Sequence, residues 1–84
     1  MKTCLITFRS VTPAQRAEAA LRRAGVDCTL QRTPRWMEEQ GCGYSLRLPF
    51  SELTNCLSLL QTQQIPFRKI YLRRANGNLE ELAL

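Results

Sequence analysis

The chain has 84 residues, 44% hydrophobic and 23% charged, with a formal net charge of +5; that is the size and make-up of one globular domain with a single modest core. No apolar run nears the roughly 20 residues of a membrane-spanning helix, and Lys2 precedes only a short apolar run with no small-residue cleavage site behind it, so a cytoplasmic protein is expected. The basic balance permits an anionic partner, but no run of five like charges demands one.

The elements alternate along the chain. "KTCLITF" (2–8) is short and rich in β-formers, which predicts a strand with Cys4, Ile6 and Phe8 on one face and Leu5 and Thr7 on the other. "SVTPAQRAEAALRRAG" predicts a helix near 13–24. Thr12 is the expected N-cap, Pro13 suits the first helical position, and Gln15 stands where a capping box wants it. Ala17, Ala20, Leu21 and Ala24 form its narrow apolar stripe, Glu18 and Arg22 are spaced to pair on the solvent side, and Gly25 ends it. "VDCTLQRT" (26–33) alternates Val26, Cys28 and Leu30 with polar residues and predicts a half-buried strand stopped by Pro34. Residues 35–43 have no period and read as a loop. "GYSLRLPF" restores alternation. "SELTNCLSLLQTQQ" predicts a helix near 51–63 with Ser51 as N-cap and Leu53, Cys56, Leu57 and Leu60 inward. "FRKIYLRR" (67–74) is the last predicted strand, its Arg68, Lys69, Arg73 and Arg74 guarding a sheet edge. The domain is expected over 1–75. Residues 76–84 read as a C-terminal tail with a turn at Asn76-Gly77 and three leucines that dock as a short helix or fray.

The order is β-α-β-β-α-β. With right-handed crossovers it predicts an α+β fold: a ferredoxin-like sandwich of a four-stranded antiparallel sheet, order 4-1-3-2, with two helices on one face. That topology brings the exit of the first strand, the start of the first helix and the loop between the second and third strands to one end. Arg9, Arg32 and Arg35 are expected there together.

The loop contains "TPRWMEEQGCGYSLRL" (33–48), where one cysteine stands between two glycines. Histidine is absent, which excludes Cys–His and Ser–His chemistry. The four cysteines make no C-x-x-C pair, so neither a structural zinc nor any other metal or cofactor is expected, and without a secretory context they do not suggest a disulfide framework. Cys4, Cys28 and Cys56 fall on apolar faces and read as small buried hydrophobes. Cys42 differs. Gly41 and Gly43 leave it unshielded and free in backbone conformation, and the positive end of a helix near Thr12, with Arg9 and Arg35, would favour its thiolate. Glu38 and Glu39 oppose this. Spacing alone leaves two readings level: a reactive thiol, or glycines that simply make a turn around an incidental cysteine. Trp36, the sole tryptophan, either covers this loop, marks a partner contact or packs over the sheet end.

"KTCLITFRSVTPAQRAEAALRRAGVDCTLQRTPR" followed by "GCGYSLRL" resembles the "Putative Se/S carrier protein-like" family of small bacterial proteins. The features that carry the resemblance are the "ITF" strand, the helix of small residues, "TPR" after the second strand, and "CG" opening the third; together they span about residues 2–72. The resemblance implies that Cys42 carries sulfur or selenium as a persulfide or selenopersulfide, that Arg35 binds the transferred anion or steadies the thiolate, and that the partners are the donor and acceptor proteins of that transfer. It implies a carrier or binding protein and leaves open whether the chain is an enzyme in its own right.

Two other classes share the predicted fold. A small-ligand-binding regulatory or protein-interaction domain is the alternative. An RNA-recognition module fits less well: only Tyr44 lies on the third strand, grouped with Leu46 and Leu48, and no basic Gly-aromatic-Gly-aromatic signature occurs.

Overall fold

A computed structural model describes residues 2–32, 43–74 and 76–82. The chain runs β1 (Thr3–Phe8), α1 (Val11–Arg23), β2 (Thr29–Arg32), β3 (Tyr44–Pro49), a 3-10 turn (Phe50–Glu52), α2 (Leu53–Thr62), β4 (Ile70–Arg73) and β5 (Leu79–Leu82). The sheet is antiparallel throughout, in the order β2-β3-β1-β4-β5. The expected 4-1-3-2 order is therefore present, with a fifth strand added outside β4. The expectation of four strands is corrected on that point.

Alternation places the core. Cys4, Ile6 and Phe8 of β1 stand beside Leu48, Leu46 and Tyr44 of β3, and Ile6 and Cys4 beside Ile70 and Leu72 of β4. Ala14, Ala17 and Leu21 of α1 and Leu53, Cys56 and Leu60 of α2 join Cys4, Ile6, Phe8, Leu46, Leu48 and Ile70 in one apolar cluster, so both helices cover the same sheet face. Alanines on α1 let its backbone approach the strands closely. Ala14, Ala17, Ala20 and Leu21 are the buried positions; Ala24 is exposed, since it already belongs to the terminating turn.

Both helix ends follow one device. At the end of α1, Val26 N–H donates to Leu21 O at 2.9 Å and Gly25 N–H to Arg22 O at 3.0 Å, with Gly25 at φ +83°. This is a Schellman closure, which favours glycine at the left-handed position. It also shortens the next strand. Val26 spends its amide on the cap, and only Thr29–Arg32 pair with β3, not the whole of 26–33. At the end of α2 the same pattern recurs, Ile65 N–H to Leu60 O at 2.9 Å, with Gln64 at φ +56°.

The start of α1 departs from expectation. Ser10, extended at φ −145°, holds the cap position, and Thr12 and Pro13 lie inside the first turn. Pro13 is tolerated there because the first four amides of a helix have no intrahelical acceptor to lose. The tail departs too. Arg74 N–H bonds Asn78 O, Gly77 N–H bonds Arg74 O, and Gly77 at φ +89° turns the chain back so that Leu79–Leu82 pair with β4. The expected turn at Asn76-Gly77 is present, but it leads into a strand. β4 is thereby internal. Lys69 and Arg74, which flank it, pair across to Glu81 and Glu80 of β5, so the cations named from sequence do not guard a sheet edge.

The sheet face away from the helices is more buried than its polarity suggests. Leu5 lies between Arg47 and Tyr71 by register. The Thr7 hydroxyl accepts from Lys69 N–H at 3.0 Å. Ser45, opposite Thr7 and Gln31, is fully buried, and its Oγ has no hydrogen-bond partner among the described residues.

Candidate functional site

Three of the four thiols are accounted for by the core. Cys4, Cys28 and Cys56 are 0%, 3% and 0% exposed. Burial pushes the Cys4 thiol up to about 11 and the Cys56 thiol up to about 12. Cys28 is also raised, burial outweighing the opposing pull of Arg22. A thiol that stays protonated and is enclosed by side chains is neither a nucleophile nor a metal ligand. Among the described residues no group of three or more His, Cys, Asp or Glu side chains converges to hold a metal ion.

Cys42, Gly41 and Arg35 lie outside the described residues, as do Trp36, Glu38 and Glu39. Gly43, the chain neighbour of Cys42, is buried immediately before β3. Register places that point. Tyr44 pairs with Phe8 on one side and with Arg32 on the other, so the last residue of β1, the last of β2 and the first of β3 are level at one end of the sheet. The start of α1 follows Phe8 after two residues. The exit of β1 and the start of α1 meet at this end as expected; the loop expected beside them lies outside the described residues.

The arginines at this end divide. Arg32 lies over the Tyr44 ring, 5.9 Å from its centroid, a cation–π arrangement of modest worth at an exposed site. Arg9 lies on the other flank of β1. It and Thr12, both named from sequence, line a cavity of about 450 Å³ together with Arg16, Phe67 and Arg68. Arg68 reaches this end because its amide bonds Thr7 O at 2.8 Å, which extends the β1–β4 pairing beyond the strand proper. Arg16 donates to Gln63 O at 3.3 Å and so ties α1 to the segment after α2. Sequence reading missed Arg16 and the Pro66–Arg68 wall. Arg16 has helical spacing from Arg9's turn, but the wall comes from about 50 residues further on in the chain, and no local pattern brings it there.

The open face of the two central strands carries Thr3, Leu5, Thr7, Ser45 and Arg47, with no aromatic side chain among them. A base-stacking platform of the RNA-recognition kind needs aromatics at such positions. No helix of the described residues is long and apolar enough to cross a membrane.

The family model described as "Putative Se/S carrier protein-like" matches residues 3–72. No curated protein and no solved structure gives a match.

Proposed function

The chain belongs to the "Putative Se/S carrier protein-like" family, and from that premise we propose that it is a carrier whose Cys42 accepts a terminal sulfur or selenium atom from one protein and hands it to another. The observation that carries the reading is the family match over residues 3–72, a span that includes Cys42. The burial of Cys4, Cys28 and Cys56 supports it by making those three poor candidates for the reactive thiol. The first four strands and two helices are read as a ferredoxin-like split βαβ unit, with β5 as an added edge.

The chemistry balances without an external oxidant. The Cys42 thiolate attacks the outer sulfur of a donor persulfide; a new S–S bond forms, the donor's S–S bond breaks, and the donor leaves as a thiolate. Transfer to an acceptor thiolate repeats the exchange in reverse and regenerates Cys42 as thiolate. With selenium the outer atom differs and the steps are the same. The first turn of α1, near Thr12, and the guanidinium groups of Arg9 and Arg35 are assigned to thiolate support, since positive charge and helix N-termini favour the ionised form. The partners are then a donor and an acceptor protein, met in the cytoplasm.

The test is loading from a persulfide-bearing donor protein, read by intact mass. Wild type should gain one chalcogen atom, Cys42→Ser none, and Cys56→Ala the same as wild type. Loading that survives Cys42→Ser would overturn the assignment.

A further inference from the structure

The cavity beside α1 shares Arg9 and Thr12 with the thiolate support assigned above, but Arg16 and the Pro66–Arg68 wall have no part in the carrier reading. Two arginines from different segments, Arg9 on the turn after β1 and Arg16 on α1, line it, and Arg68 belongs to the wall contributed by the chain before β4. Among the described residues that line it there is no carboxylate. None of the described ion pairs, Arg22–Glu18, Lys69–Glu81 and Arg74–Glu80, takes up Arg9 or Arg16. Two arginines from separate segments, with no carboxylate among the described lining residues, suit an anion, and a pair of guanidiniums suits a doubly charged group whose oxygens accept in pairs. A carboxylate, with one charge, needs only one.

The surroundings reinforce this. The first turn of α1 has no acidic residue, and Ser10 makes no side-chain cap, so the helix's positive end has no side-chain anion of its own. Arg16 is held in place by its bond to Gln63 O, which lowers the ordering cost of binding.

Size decides what kind of anion. At about 450 Å³ the cavity holds far more than a bare oxyanion, given that a water occupies roughly 30 Å³ of liquid, and it falls within the range of about 300–1,000 Å³ typical of small-molecule sites. Phe67 in its wall is 38% exposed, one of two large apolar side chains so open among the described residues. An exposed ring beside guanidiniums fits a flat apolar body attached to the charged group. We propose that this cavity binds a phosphate monoester with a flat apolar or aromatic body, its phosphate on Arg9 and Arg16 and its body against Phe67.

The experiment is an NMR titration of the full ¹⁵N-labelled chain with phenyl phosphate, inorganic phosphate and phenol. Phenyl phosphate should shift the amides of residues 9–16 and 67–68 and bind more tightly than inorganic phosphate, and phenol should leave them unmoved. Arg9→Gln, on an exposed turn, should weaken phenyl phosphate by about tenfold or more, the scale of one charge-assisted contact. Arg16→Lys, which keeps the charge and the fold but not the fork, should weaken it as well. Phe67→Ala should bring the two phosphates level. Shifts confined to other residues, equal affinity for both phosphates in wild type, or binding unchanged in the Arg9→Gln/Arg16→Lys double variant would overturn the proposal.

Discussion

At the scale of the residue, the four cysteines part company. Cys4 and Cys56 touch the centre of the cluster beneath both helices, and their raised values, about 11 and 12 against an ordinary 9.0, express the cost of placing a thiolate there. The consequence for stability has a definite sign. Below pH 9 both thiols are protonated folded and unfolded, and the balance does not change. Above 9 the unfolded chain gives up these protons while the folded chain keeps them, Cys4 up to about 11 and Cys56 up to about 12, so stability should fall as pH rises through that window. Chemical denaturation at about pH 8, 9, 10 and 11 should show a flat midpoint up to about 9 and a steady decline above it; replacing Cys56 with Ala should flatten the decline. The same contrast predicts that a thiol reagent labels one cysteine of the native protein quickly and the other three only at the rate of unfolding. The burial of Cys4, Cys28 and Cys56 was legible in sequence, because apolar alternation places all three inward; the contrast expected of Cys42 falls outside the described residues. Of the residues expected around Cys42, only Arg9, Thr12, Arg32 and Gly43 fall among the described residues. Arg9 and Thr12 do meet in one cavity, while Arg32 stacks on Tyr44 instead.

At the scale of the element, two termini and one strand show what local pattern can and cannot specify. Gly25 is readable as the stop of α1 because glycine favours the left-handed position. Gln64 is not, since nothing marks a glutamine as a left-handed residue, yet it does the same service for α2 at φ +56°. An L-residue there costs roughly 1–2 kcal/mol, and glycine costs about 0.5–1 in unfolded-state entropy. Gln64→Gly should therefore stabilise by about 0.5–1 kcal/mol, measured as a rise of a few degrees in Tm. A fall would mean that the side chain makes a contact worth more than the strain. β5 reads as tail from sequence for a physical reason: "NLEELAL" contains no β-branched residue, and Leu, Glu and Ala favour helix. Pairing with β4, Leu82 against the core and the Lys69–Glu81 and Arg74–Glu80 pairs override that preference. The exposed ion pairs contribute little singly, so the backbone ladder and Leu82 are the main terms. A chain ending at Arg74 should melt lower and self-associate through the uncovered edge of β4, seen as larger species in sedimentation velocity. An unchanged melt with a monomeric profile would contradict the fifth strand's role.

At the scale of the whole molecule, the sheet has one busy end. There β1 finishes, α1 starts, β2 and β3 meet their connecting segment, and the arginine-lined cavity opens on the far side of β1. Neighbouring strands lie about 4.8 Å apart, so the start of β3 and the chain before β4 sit roughly 10 Å from each other across β1. The order of elements made that end predictable; the cavity was not, because its walls come from segments joined only by folding. The account's central claim is that Cys42 carries a chalcogen atom. The most direct measurement is mass spectrometry of the protein as purified from cells, alkylated in the native state and digested to isolate the Cys42 peptide. The account predicts a fraction of that peptide bearing one added sulfur or selenium atom, removed by reductant, with the Cys4, Cys28 and Cys56 peptides unmodified. A Cys42 peptide that is never loaded, even from cells supplied with both elements, would contradict it.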